Sequence, residues 1–433
     1  MPNVNNMIVN YQTAALLASI VGQATGTAQI APVTANEFVS VAQTGLQTGY
    51  DPLMTAISQV LSKTIFSIRP YTAKFRGLMM DSQKWGNHVR KLNVVDKPFR
   101  DDDRYTLVDG QPVDQQIVCK PEVVQTNYYG QVAVEKCLTV YRDQLDVAFT
   151  GEAEFSRFIT MIMQNVSDML EQARETTARG VVNNLIAGVV QQAAAGIAPE
   201  RVIHLVTEYN NATGSSLTAT TVKDPANFAP FARWMFGYLK TISDKLTNRT
   251  ALFHQNFTIG GVVKTIMRHT PVERQKCYLF SPLLNTISAN VLSTVFYDKY
   301  LQLMDHEDLD FFQSISDPMA INMTPVYTAA DGTITNGSAS KIENVFGVIF
   351  DEEAAGYTLI NQWQAPAPFN SRGGYQNTWW HENHRYMNDF TENAVVLLLD
   401  EAQASSGQTS SLNENRSIAP EEAETKSAIK SKK

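Results

Sequence analysis

Between Gly151 and Asn184, apolar side chains recur at steps of three and four residues: Phe155, Phe158, Ile159, Ile162, Met163, Val166, Met169, Leu170, Ala173 and Val181, with Leu185 just beyond. That period marks one face of a helix and predicts a single element over the whole stretch. Glu152 and Glu154 stand at its start, where the helix dipole favours negative charge, and Arg174 and Arg179 fall in later turns. At 1.5 Å per residue, about 35 residues extend roughly 50 Å, more than the diameter of a small domain. Gly188 or Gly196, with Pro199 behind, is the expected stop.

Upstream the pattern has a different period. Trp85 to Val95 reads as an outgoing strand that Pro98 ends or leaves at an edge. Asp109-Gly110 is a turn signal, and Val123 to Val134 reads as the returning strand. The result is a long charged hairpin over 85–137, with Arg100, Asp101, Asp102, Asp103 and Arg104 near its tip. A two-stranded ribbon is marginal in water, so this one is expected to lie on another subunit. Asp51-Pro52 opens a helix whose face is Leu53, Ile57, Val60, Leu61 and Ile65. Residues 1–50 show no strong period and carry Glu37 as their only charge. They are too apolar for a solvated tail and read as an arm ordered by lying on something else. Within it, Thr34 or Asn36 caps a short helix carrying Phe38, Val39 and Val41.

Downstream, Val202 to Val206 reads as a strand and Phe231 to Leu246 as a helix. A second compact region is expected over 248–376. Its parts are a strand at Cys277–Phe280, a helix opened by Ser281-Pro282, turns at Asp331-Gly332 and Asn336-Gly337, and a buried strand at Val345–Phe350. Trp379 to Asp400 reads as strands returning to the first core. From Glu401 the chain is polar, acidic at Glu421, Glu422 and Glu424, then basic at Lys426, Lys430, Lys432 and Lys433, which reads as a tail.

Composition sharpens the oligomer reading. The 433 residues exceed one ordinary domain core, and charged residues are only 18%, below the ~25% usual for soluble domains. A large chain with few charges implies surface that is covered in use. The best apolar runs, Ala14–Val21 and Ala394–Leu399, fall short of the ~20 residues that span a bilayer. No Lys or Arg precedes the first, so a signal peptide is not expected, and the chain reads as soluble, without a membrane partner. A net charge of −8 argues against holding nucleic acid by its phosphates, though not against enclosing it.

Candidate chemistry is sparse. Cys119, Cys137 and Cys277 lack metal spacing and read as free thiols. His381-Glu382-Asn383-His384 misses the zinc-protease spacing, because Arg385 occupies its fifth position. On a strand the two histidines point to opposite faces. The acidic stretch Asp305 to Asp310 lacks the glycine of a calcium loop and reads as a solvated or paired loop. No nucleophile–base pair, cofactor or metal site is expected.

The order of arm, hairpin, long helix, inserted α/β region, returning strands and tail resembles the major capsid proteins of tailed bacteriophages, most closely those of small short-tailed phages. The likeness rests on Trp85–Cys137, Gly151–Leu185, Cys277–Pro282, the Val345–Ile360 pair and Trp379–Phe390. It implies an α+β fold, not an enzyme. Its expected divisions are an arm (1–50), a peripheral domain (51–84 and 138–247, with the spine helix), an extended loop (85–137), an axial domain (248–376), closing peripheral strands (377–400) and a tail (401–433). It further implies hexamers and pentamers of an icosahedral or prolate head around double-stranded DNA. Lys97, Arg100, Asp101, Asp102, Asp103 and Arg104 are then intersubunit contacts of the loop. A separate scaffolding protein and a portal are implied partners, with assembly in a host cytoplasm. Lys91 and Lys97 are loop lysines, but no crosslink is expected. The alternatives are an encapsulin-like compartment holding cargo enzymes, and a soluble enzyme with an acidic site near 305–310.

Overall fold

The computed structural model of the chain describes residues 4–29, 31–32, 34–63, 75–78, 88–97, 102–105, 107–113, 115–116, 118–129, 132–287 and 306–400. Arg100, Asp101, the first residue of the acidic stretch (Asp305) and the tail from Glu401 lie outside these residues, and of Asp103 only the backbone is described.

Most of the described residues before Thr64 are in three helices. Helices α1 (Val4–Thr25), α2 (Ala35–Gln47) and α3 (Tyr50–Lys63) pack on each other and on the chain's own body. Leu17, Ile20 and Val21 are buried against Phe38, Leu53 and Phe155. Where the sequence leads one to expect an arm lying on something else, the described residues of 1–50 pack on the chain's own body. Thr34 is the N-cap of α2, bonded reciprocally with Glu37 in a capping box.

The ribbon is β1 (His88–Val94) against β2 (Val123–Tyr129), with Val94 opposite Val123. The expected single return strand divides. Beyond Gly130 the chain enters β3 (Val132–Tyr141), which belongs to another sheet. A short α4 (Arg142–Ala148) then leads into α5 (Glu152–Ala194). At 43 residues α5 is about 65 Å long. Gly188 does not stop it. A Cβ there would sit 2.5 Å from the Phe390 ring, so the glycine admits that ring to the helix surface. The helix ends instead before Gly196, whose φ of 77° suits the left-handed position after a helix.

Two sheets flank α5. In one, β14 (Ala355–Pro366) and β15 (Tyr375–Asn388) pair antiparallel, and β15 pairs β3. The other has five strands: β4 (Val202–His204), β16 (Ala394–Leu398), β13 (Val345–Asp351), β7 (Gln275–Phe280) and β8 (Glu307–Leu309), in that order. The expected peripheral group 377–400 is therefore split between sheets: β15 lies in the first, while β16 pairs β13 in the second. The second sheet packs on α5, α6 (Leu205–Thr213) and α7 (Pro225–Thr247) through Val182, Leu185, Phe231, Met235, Tyr278 and Phe350. Every residue of β13 is buried, as its unbroken apolar run requires. Its bulge brings Gly347 so close to β7 that a Cβ would meet the Tyr278 carbonyl at 2.5 Å. Smaller antiparallel pairs complete the body: the hairpins β5 (Phe257–Ile259) with β6 (Val262–Lys264) and β10 (Val326–Thr328) with β11 (Ile334–Asn336), the latter enclosed by the pair β9 (Ile321–Met323) with β12 (Ser340–Ile342). Helix α8 (Ser281–Ile287) follows β7.

Candidate assembly surface

Alternation along β1 gives the ribbon two unlike faces. Leu92 and Val94 point outward and are 56% and 61% exposed. Lys91 and Asn93 point inward onto the body, with Tyr128 of β2 beside them. Past the paired strands the exposed apolar residues continue: Tyr105, Leu107, Val108, Val113 and Val118, the last at 75% exposure.

The inward face meets a buried charge cluster. Lys91 Nζ lies 2.7 Å from Asp389 Oδ2, 2.5 Å from Glu392 Oε1 and 3.3 Å from Glu353 Oε2. Arg268 sits 3.1 Å from Glu392 and also donates to Asn93 and to the Thr391 carbonyl. Asp389 and Glu392 belong to the turn that joins β15 to β16. Burial disfavours the Lys91 ammonium, but the facing carboxylates of Asp389 and Glu392 hold its pKa above the ordinary lysine value. Burial alone would raise Asp389, yet Lys91 and the Thr391 donors bring it below the usual carboxylate range. For Glu392 burial prevails over Lys91 and Arg268, and its pKa is raised. Tyr128 is pushed up by burial and then by Asp389. Further along, Asp96 accepts from the Met267 amide at 2.8 Å and pairs with Arg249, and Lys264 reaches Glu122 at 2.5 Å.

The charged residues expected to mark the surface behave differently. Lys97 donates to the Lys120 carbonyl at 2.6 Å and stands 3.7 Å from Glu122, across the ribbon base. Arg104 turns back onto Asp102, its Nε 2.8 Å from Oδ2. Asp103 opens a single 3-10 turn through Tyr105. These are local pairs, and exposed ones of this kind hold weakly. Sequence reasoning missed the apolar set Leu107, Val108, Val113 and Val118, although apolar residues in a loop on either side of Asp109-Gly110 were a visible signal. It also missed the partners of Lys91, which come from nearly three hundred residues away.

Elsewhere the histidine pair sits on β15. His381 stacks on Trp363 with ring centroids 3.9 Å apart, and buried His384 lies 3.2 Å from Glu382, which Arg174 of α5 holds at 2.7 Å. Glu307 and Asp308 of the acidic stretch are in β8, and His306 lies 3.4 Å from Asp308. Among the described residues no group of three or more His, Cys, Asp or Glu side chains could hold a metal, and no helix is long and apolar enough to cross a membrane.

A family model described as Phi29-like phage major capsid protein matches residues 15–398. Among solved structures, one of native bacteriophage P68 (head fibre and inner core protein gp22) is 10% identical, covers 78% of this chain and 87% of its own, and has a TM-score of 0.50. The capsid structure of Staphylococcus phage Andhra is 9% identical, covers 77% of this chain and 86% of its own, and has a TM-score of 0.48. Identities this low speak to fold alone. A search of curated proteins finds no match.

Proposed function

Because the chain belongs to the Phi29-like phage major capsid protein family, it is a shell subunit of a phage virion, and we propose that the β1–β2 ribbon is the part with which each copy grips its neighbour. One observation carries this reading: the ribbon is fixed on its inner face, while Leu92, Val94 and Val123 stay exposed on its outer face beside Arg90 and Gln125, as do Leu107, Val108 and Val118 beyond it. Burying Leu92, Val94 and Val118 against a neighbouring copy stabilises the contact by about 1.5–3 kcal/mol for each side chain fully covered. Lys97, Arg100, Asp101, Asp102, Asp103 and Arg104 form the polar rim of that contact and select the partner's orientation.

The three-stranded sheet with α1–α4 and the first half of α5 forms the peripheral part. The five-stranded sheet with α7 forms the axial part, around which hexamers and pentamers gather. The closed head is icosahedral or prolate and encloses double-stranded DNA without reading its sequence. The subunit's charge of −8 lets the polyanion slide rather than adhere. A scaffolding protein and a portal are its partners during assembly in a host cytoplasm, and its work is mechanical rather than catalytic. An encapsulin-like compartment would suit the same fold, but the family match favours the phage head.

Deleting residues Phe99 to Val118 tests the reading. The expected product is a folded subunit that no longer builds shells, scored by electron microscopy and sedimentation. Normal shells from the shortened chain would remove the ribbon from its role.

A further inference from the structure

The ribbon's anchor is built from buried charge, and apolar packing would have held it as well. Replacing a buried ion pair by hydrophobic side chains is often neutral or stabilising, because each desolvated ion costs several kcal/mol. What such a cluster adds is a single permitted geometry, since any shifted arrangement leaves a carboxylate or an ammonium buried without its partner.

The socket is no ordinary loop. The Asp389–Asn393 turn is one of two short covalent links between the two sheets, the other being Glu352–Ala354 between β13 and β14. It is tied to both: the Asp389 amide donates to the Ala354 carbonyl at 2.7 Å, and the Asp351 amide donates to the Asn393 carbonyl at 2.9 Å. Thr391 donates its hydroxyl to Asp389 at 2.6 Å, which fixes the carboxylate that faces Lys91. Asn93 adds a second tooth, between Arg268 and Thr391.

We infer that Lys91 is a positioning residue: it aims the ribbon by locking it to a turn that links the two sheets, so that the direction in which a copy reaches its neighbour is set inside the subunit before contact. This rests on the ribbon being the gripping element. Beyond that reading, it assigns the aim to one lysine and the Asp389–Asn393 turn rather than to the neighbour's surface.

The test uses the full chain as dissociated subunits, spin-labelled at Cys119 and at a cysteine introduced by Lys240→Cys, with Cys137→Ser to remove the second accessible thiol. Lys91→Met combined with Asp389→Asn removes one charge of each sign and leaves the Arg268–Glu392 pair in place. The expected result is a narrow interlabel distance distribution in the parent and one severalfold broader in the double variant, with the melting temperature little changed. Equal widths would overturn the inference. Should the double variant fail to fold, Lys91→Met alone removes the lock, and an unchanged width there would overturn the inference too. Assembly is scored separately. A broadened ribbon that still builds normal shells keeps the aiming role and removes the grip, so the two readings fail in different ways.

Discussion

His254 shows how much one side chain can tie to pH. Its ring is buried between the Ile266 carbonyl, 2.6 Å from Nε2, and the Asn393 amide oxygen, 3.2 Å from Nδ1. Burial pushes its pKa down to about 4, so the folded chain keeps the imidazole neutral while the unfolded chain protonates near 6.5. A depressed histidine contributes stability that is complete above the unfolded pKa and is lost as pH falls from about 6.5 toward 4. Between pH 7 and pH 5 the loss amounts to about 2 kcal/mol. Denaturant melts at the two pH values should therefore show a drop in the parent that His254→Gln lacks. An equal drop in both would mean that the ring is already charged or wet. Nothing local in the sequence marks His254, since its partners come from β16's approach and from the β6 exit. The histidines of β15 were legible, because a strand period alone sends His381 and His384 to opposite faces.

Elements were legible where their period was strong. Of the apolar steps from Phe155 to Leu185, Phe155, Phe158, Ile159, Ile162, Val166, Val181 and Leu185 are buried on α5 while Met169 is exposed, and the Val345–Phe350 run is the central strand β13. Helix α7 begins six residues before its expected start at Phe231, although Asp224-Pro225 is itself a cap signal. Helix α1 was hidden for a physical reason. Its buried residues Leu17, Ile20 and Val21 stand among Ala18, Ser19 and Gly22, so the face has little contrast, and tertiary packing rather than propensity holds the helix. Leu17→Ala should then cost about 3 kcal/mol in the isolated subunit, read as a lowered urea midpoint with loss of helical ellipticity. An unchanged midpoint would return residues 4–25 to the surface of a neighbour. The return strand divides between Tyr129 and Val132, and the continuous β-prone pattern on either side gave little sign of it.

For the whole molecule, the order of elements was sufficient for an α+β shell fold, and contacts between distant segments were not. The ribbon was expected to depend wholly on another copy, whereas its inner face is satisfied by its own body and only its outer face waits. That division makes stability and assembly separable. Leu92→Asp with Val94→Asp should leave the subunit's stability within about 0.5 kcal/mol of the parent, as for surface changes generally, while sedimentation shows no shells. A loss of fold would place those side chains inside the monomer. Finally, α5 runs beneath both sheets. Arg174 joins it to Glu382 of the first, Asn183 reaches the Phe312 carbonyl beside the second, and no proline interrupts it. A rod keyed to two layers resists folding between them. Where such subunits close a vessel, the expectation is that the tiles stay stiff and the seams between them take up the angle.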